Sequence, residues 1–402
     1  MASAVAMPLL RRLTRPSPVL FFCLFTSQAA LLVLSPVLPD VAREFGVSTA
    51  TAGQLRSLSG ATGGLTAVVL AIARRRPGLR DLLSAGSALV AVGSVASAAA
   101  PSFAVLAAAQ GVVGIGVALL VAAGIAATGE WAPPAARPHV LAWAIAGMPV
   151  AWIAGMPVVG AVAALDWRAA WLALPTVAAL ATLALVRLRP RDAGSERIGD
   201  AVAAWRRPQV ARFAAGELLA NAAWASVLTY AGALLLESYD VAPGVVALGL
   251  GAMAIAMLPG TFSARRHAAL ASPALLSALT VFQAAAVLVL GAIRPAVGLS
   301  LAVLAAMAFT NGWRSMMAGS LGMDAAPEDK LAVMSLRAAA NQFGYLLGAA
   351  AGGLALEAGG FAALGAALAA TFVAATLVHG PVIGLVRGSV RSRRIAAARA
   401  AP

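Results

Sequence analysis

The sequence is short of acidic residues, lysine, cysteine and histidine, and each shortage excludes something. Only 15 of the 402 residues are Asp or Glu, Lys330 is the one lysine and Cys23 the one cysteine. A lone cysteine forms no intrachain disulfide, and inside an apolar run it reads as a small buried residue. The three histidines, His139, His267 and His379, are too far apart for a metal site of recognisable spacing. The glycines from Gly111 to Gly116 lack the strand context and the Lys of a phosphate loop, so they read as close helix packing. The acidic residues form no cluster such as a polytopic enzyme acting on lipid-linked substrates would need. No enzyme activity and no cofactor is expected.

What is abundant is apolar. Apolar types fill 61% of positions and charged residues 11%, against roughly 45–50% and about 25% in soluble domains. Water is not the main solvent of such a chain. A helix crossing the hydrocarbon core needs about 20 mostly apolar residues, and the length accommodates twelve. Pro, Gly and charged punctuation divides the first half into spans near 18–39, 50–73, 81–100, 103–128, 140–163 and 168–187. The second half divides near 209–236, 243–264, 270–292, 295–320, 331–356 and 360–386. The first run, following Arg11, Arg12 and Arg15, is too long for a signal-peptide core and ends without a small-residue cleavage site. It is expected to remain as the first span. The three histidines fall near span ends and are expected at the membrane–water interface.

The net charge of +14 is almost all arginine. A nucleic-acid binder would gather such charge on one face of a soluble fold, but here it lies between apolar runs, so no nucleic-acid partner is expected. Cytoplasmic loops carry the excess Arg and Lys. With the N-terminus inside, about 23 of the 29 basic residues fall in cytoplasmic segments; Arg43, Arg168 and Arg294 lie outside, and Arg56, Arg314 and Arg337 lie within spans. Both termini are then cytoplasmic, in the inner membrane of a bacterium. The abundance of alanine and arginine reads as the coding bias of a GC-rich genome and carries no functional weight.

The halves repeat each other weakly. Arg74-Arg75-Arg76-Pro77-Gly78 after span 2 has a counterpart in the segment 260–266, and Ala132–Arg137 after span 4 has one in Ala326–Lys330. Spans 5 and 11 both turn glycine-rich. This predicts an all-α integral membrane protein with twelve transmembrane helices in two pseudo-symmetric bundles. Its parts are a six-helix bundle over 1–187, a cytoplasmic linker over 188–208, a second six-helix bundle over 209–386 and a basic tail over 387–402. A monomer is expected.

Several segments are similar to those of the major facilitator superfamily, in particular its twelve-span drug and sugar efflux branch. They are PDVAREFGVS from Pro39 to Ser48, Gln110-Gly111, Glu130-Trp131-Ala132-Pro133 with Arg137, Gly155-Met156-Pro157-Val158-Val159-Gly160, and Asp166-Trp167-Arg168. The Gly155–Gly160 segment resembles that branch's antiporter signature. The resemblance implies two six-helix bundles around a cavity lined mainly by spans 1, 4, 7 and 10. It also implies secondary transport, as proton-coupled efflux of a small organic molecule. The sequence departs from the pattern at Ala71 and Arg75, where a Gly and an Asp are usual, and at Ala107, where the family has an arginine linked to proton antiport. A proton-independent facilitator or an importer on the same fold is the alternative.

Ionisable residues inside spans point to function because they are costly in hydrocarbon. Glu217 lies about eight residues into span 7, with Asn221 and Trp224 on the same face at i+4 and i+7. Arg337, followed by Asn341 and Tyr345, and Arg314, preceded by Asn311 and Trp313, fall at a similar depth in spans 11 and 10. Glu217, Arg314 and Arg337 are therefore the coupling candidates, with a structural ion-pair network as the competing reading. Gln28, Gln110, Asn221, Trp224, Asn311 and Asn341 are the candidates for the substrate cavity; Gln28 and Gln110, like Gln283 in span 9, can equally bridge helices. Asp40 is expected to be hydrated, and Arg56, about a turn from the outer end of span 2, to snorkel towards the interface. In span 5, IAGMPV occurs twice. Gly147, Pro149, Gly155, Pro157 and Gly160 make this span the candidate bent, closely packed helix at the interface between the halves.

Overall fold

The computed structural model describes residues 15–73, 75–192, 195–196, 201–239, 241–266, 272–294, 296–325 and 330–399. Those residues form twelve long helices. They are α1 (Pro16–Phe45), α2 (Thr49–Ile72), α3 (Leu79–Ala98), α4 (Phe103–Glu130), α5 (Arg137–Ala163), α6 (Ala169–Arg187), α7 (Pro208–Tyr239), α8 (Pro243–Arg266), α9 (Pro273–Ala292), α10 (Val297–Ala325), α11 (330–358) and α12 (361–399). Ten helical segments are long and apolar enough to cross a membrane, one of them containing both α11 and α12. The remaining helix, α10, is made more polar at mid-length by Thr310, Asn311 and Arg314. His267 and the segment 326–329 lie outside the described residues.

Local chemistry sets the helix ends. Gly46 closes α1 with a left-handed φ of 63°, and Gly360 adopts the same φ where the chain turns from α11 to α12, a conformation glycine adopts without steric cost. Ser48, Ser102 and Ser272 cap α2, α4 and α9 by accepting from the backbone N–H of Thr51, Val105 and Leu275. Within α6, residues Leu172–Thr176 around Pro175 form a π-helical turn. Several helices run past the limits expected from hydropathy, most clearly α1, where a polar end is carried beyond the apolar run.

Six helices precede the linker and six follow it. The end of the bundle that carries this linker, the linker end, also has the two-residue ribbon β1 (Arg75–Arg76) paired antiparallel with β2 (Ser195–Glu196). The opposite end is the distal end. Between the halves, α2 packs on α11, α5 on α8, and the distal part of α1 on α7. At the distal end a single apolar core joins both halves, from Val37, Leu55 and Trp171 to Tyr230, Leu235 and Leu250. At the linker end each half has its own: one core around Leu20, Leu83 and Leu120, the other around Val210, Phe213 and Met317. Large apolar side chains such as Leu65, Leu180, Leu248 and Leu377 stand exposed along the helices, the surface a lipid environment covers.

Hydrogen bonds reinforce the distal closure. Ser48 Oγ donates to Glu357 Oε1 at 2.8 Å, Thr49 Oγ1 to Glu237 Oε1 at 2.9 Å, and Gln54 Nε2 to the carbonyl of Ala349 at 3.3 Å.

Candidate functional site

Glu217 sits on the linker-end half of α7 and is fully buried. Its Oε1 accepts from Arg314 Nη1 of α10 at 2.8 Å and its Oε2 from Arg337 Nε of α11 at 2.7 Å. The equal-depth argument from sequence thus brings together the three coupling candidates, which tie three helices of the second half through one carboxylate. Arg314 is 1% exposed and also donates Nε to Asn311 Oδ1 at 3.3 Å. Arg337 Nη2 donates to the carbonyl and to Oγ of Ser315, both at 3.1 Å. Every oxygen of the carboxylate has a charged donor, which makes burial of the group tolerable. Ser315 was not a candidate from sequence, where a lone serine beside Arg314 carries no signal.

The polar cavity candidates divide. Asn221 Nδ2 donates to the Glu217 carbonyl at 2.7 Å and its Cβ borders Gly344 of α11. Asn311 serves Arg314. Asn341 stands one turn along α11 from Arg337, with a buried Oδ1 that has no hydrogen-bond partner. Trp224 is buried in the core shared by both halves. Gln28 Oε1 accepts from Trp152 Nε1 at 3.2 Å, linking α1 to α5. Gln110 Nε2 donates to Ser97 Oγ at 2.9 Å, so it bridges α4 to α3. Gln283 bridges α9 to α10 through the Met307 carbonyl and Thr310 Oγ1. For these three glutamines the helix-bridging reading describes their contacts.

Two sequence expectations are corrected. Arg56 does not snorkel: it is 2% exposed and its guanidinium lies over the Tyr345 ring of α11, 5.2 Å from the centroid. Its position in α2 gives its depth, but the side chain points into the other half. His379 is likewise not interfacial. It is buried against Gly216 and the Phe213 ring of α7, beside Glu217, and neither ring nitrogen has a hydrogen-bond partner. His139 is exposed and packs edge-on against Trp143. Asp40 pairs with Arg43 at 2.9 Å at the distal surface.

In α5 the two repeats face different neighbours. A Cβ on Gly147 would strike the α1 backbone at Phe21 and Phe25, and one on Gly155 would meet Leu174 of α6 and Leu32 of α1. These glycines pack within the first half. The contact with the second half is made by Ile153, Met156 and Pro157 against Gly251 of α8. Pro149 and Pro157 both lie inside a helix that continues past them, and Gly160 is buried near its distal end.

Two corners of the fold carry no local signal in the sequence because their partners are remote. Glu44 accepts from Trp167 Nε1 at 2.6 Å and from Arg168 Nε at 3.1 Å, while Arg168 Nη1 donates to the carbonyls of Ala98 and Ala100. Asp192 of the linker accepts from the backbone N–H of Leu79 at 2.6 Å and of Arg80 at 2.9 Å. A carboxylate therefore does stand at the corner between α2 and α3, although it comes from the linker and not from the position of Arg75.

The family model described as Major Facilitator Superfamily matches residues 20–332. A comparison with curated protein sequences finds no match. Among solved structures, a POT family transporter in complex with a thioalcohol-conjugated peptide superposes with a TM-score of 0.76 at 12% identity, over 92% of this chain and 96% of that one. The nucleoside transporter NupG gives 0.72 at 12% identity over 92% and 99%. A bacterial homologue of the human lysosomal transporter Spinster, inward-facing and unoccupied, gives 0.67 at 14% identity over 94% and 96%. Likeness at such identities speaks for the fold alone. The matched residues, the two six-helix halves and the superpositions lead to one conclusion: the chain belongs to the Major Facilitator Superfamily and is a multi-pass membrane transporter of that fold.

Proposed function

We propose that the protein is a secondary carrier that exports a small organic molecule across the bacterial cytoplasmic membrane in exchange for protons, by alternating access. The linker end, with its arginines, is cytoplasmic. The fused distal core and separate linker-end cores then correspond to a state closed to the outside.

The observation that carries the reading is the double duty of α11. It delivers Arg337 to Glu217 and it packs against α2 of the other half. A shift of α11 against α7 as the α2–α11 contact opens would draw Arg337 away from the carboxylate. A buried carboxylate that loses a guanidinium partner takes up a proton more readily, which links conformation to protonation. In the state described, both arginines are engaged with Glu217. That same double pairing favours the second reading, a facilitator in which the triad is purely structural.

Transport into inside-out vesicles with an imposed pH gradient, over a panel of small organic compounds, distinguishes them. The exporter takes up its substrate only when the vesicle interior is acidic. Uptake indifferent to the gradient supports the facilitator.

A further inference from the structure

Away from the helix ends, the described residues place three arginines inside the spans, Arg56, Arg314 and Arg337, against one carboxylate, Glu217. Arg314 and Arg337 share that carboxylate. Arg56 has none: its Nε and Nη2 are buried without a hydrogen-bond partner, and the Tyr345 ring is its one aromatic neighbour. A cation over an aromatic face is partly compensated, but a guanidinium offers five donors that a ring does not satisfy.

Its position is equally specific. Gly53, three residues before, faces the Tyr230 ring, and Gly60, four residues after, faces the α11 backbone at Gln342 and Leu346. Arg56 is thus a long cationic side chain set in a glycine face of α2, directed into the interface that must open when the distal end opens. Along α11, the residues Arg337, Asn341 and Tyr345 follow at helical spacing. They form a polar stripe about 12 Å long at 1.5 Å per residue, from the Glu217 triad to Arg56. Its middle member, Asn341, also has a buried oxygen without a partner.

We propose that Arg56 is the anion-recognition residue of the transport pathway and that the exported solute carries a carboxylate or phosphate group that pairs with it. This rests on the carrier reading above and narrows its substrate class. In the closed distal end Arg56 is buried without a counter-ion, and pairing with an anion would relieve that cost. Passage between states with the anion bound is therefore favoured over passage without it. An interior-negative membrane potential drives such a solute outward.

The test uses the full-length protein in lipid nanodiscs. Thermal unfolding is followed with small organic carboxylates and phosphates, their neutral amides or alcohols, inorganic phosphate and chloride, at constant ionic strength. Compounds that bind are then assayed for exchange in proteoliposomes. An organic anion should stabilise the protein and be exchanged, with its neutral counterpart at least about tenfold weaker. Arg56→Gln should remove that preference and Arg56→Lys should retain most of it. Equal binding of neutral counterparts, undiminished anion affinity in Arg56→Gln, or stabilisation by inorganic ions alone overturns the proposal. If Arg56→Gln does not fold, the comparison of acid and amide on the unaltered protein decides. Exchange of neutral or cationic solutes only removes the anion site and leaves the carrier; no exchange of any solute contradicts the carrier itself.

Discussion

Glu217 and Arg337 are 120 positions apart, yet Arg337 Nε lies 2.7 Å from Glu217 Oε2. The pair joins α7 to α11, and Arg314 closes the triad from α10. Removing Glu217 leaves two buried guanidinium groups without their counter-ion, and breaking a buried pair in this way costs about 3–5 kcal/mol. Glu217→Ala should therefore lower thermal stability markedly in detergent or nanodiscs. Glu217→Gln combined with Arg337→Gln should cost less than the sum of the single changes, by roughly 0.5–3 kcal/mol for residues in contact. Strict additivity in a melting-temperature cycle would contradict the triad.

The interface between halves should resist bulk at α2. A Cβ on Gly60 already crowds the α11 backbone, lying 2.9 Å from the Gln342 carbonyl oxygen. Gly60→Leu should abolish transport while membrane insertion persists, because the added side chain forces α2 from α11. Gly155→Leu meets only the side chains of Leu174 and Leu32 and should be milder. Transport assays on both variants, normalised to inserted protein, check the order; equal loss from both contradicts it.

Asp192 anchors the linker to the first half by capping α3. Asp192→Ala should cost about 1 kcal/mol, the usual worth of an N-terminal cap, read as a small melting shift. Asp192→Asn, which keeps an acceptor oxygen, should recover most of it.

Reporter fusions test the sidedness on which the export direction depends. A fusion in the C-terminal tail should report the cytoplasm and one near Ser102 the outside. Both on one side would contradict the orientation drawn from the arginines.

Much of this architecture is legible in the sequence. Hydropathy and punctuation place the long helices, ten segments of which are apolar enough to cross a membrane, since a spanning helix must be long and apolar whatever it packs against. The depths of Glu217, Arg314 and Arg337 foretold their meeting, because three charges at one level of one bundle have few other partners. Facing was not legible. The span limits read from sequence put Arg56 and His379 towards the interface, yet both side chains are buried, which depends on the neighbouring helix. Gln110 is a cavity candidate by its helix number and a bridging one by its chemistry, and the bridge to Ser97 of α3 is the contact it makes. The α5 glycines were recognised as packing residues, but their partners, α1 and α6, belong to their own half. Glu44 and Asp192 find their partners only once distant segments converge, and no local pattern marks them.

Coupling between protonation of Glu217 and movement of solute is decided by a single comparison. Glu217→Gln, first shown to fold and to bind substrate, is reconstituted beside the unaltered protein and both are driven by an imposed pH gradient. The variant should retain substrate binding and lose pH-driven transport. Full pH-driven transport by well-folded Glu217→Gln would contradict it.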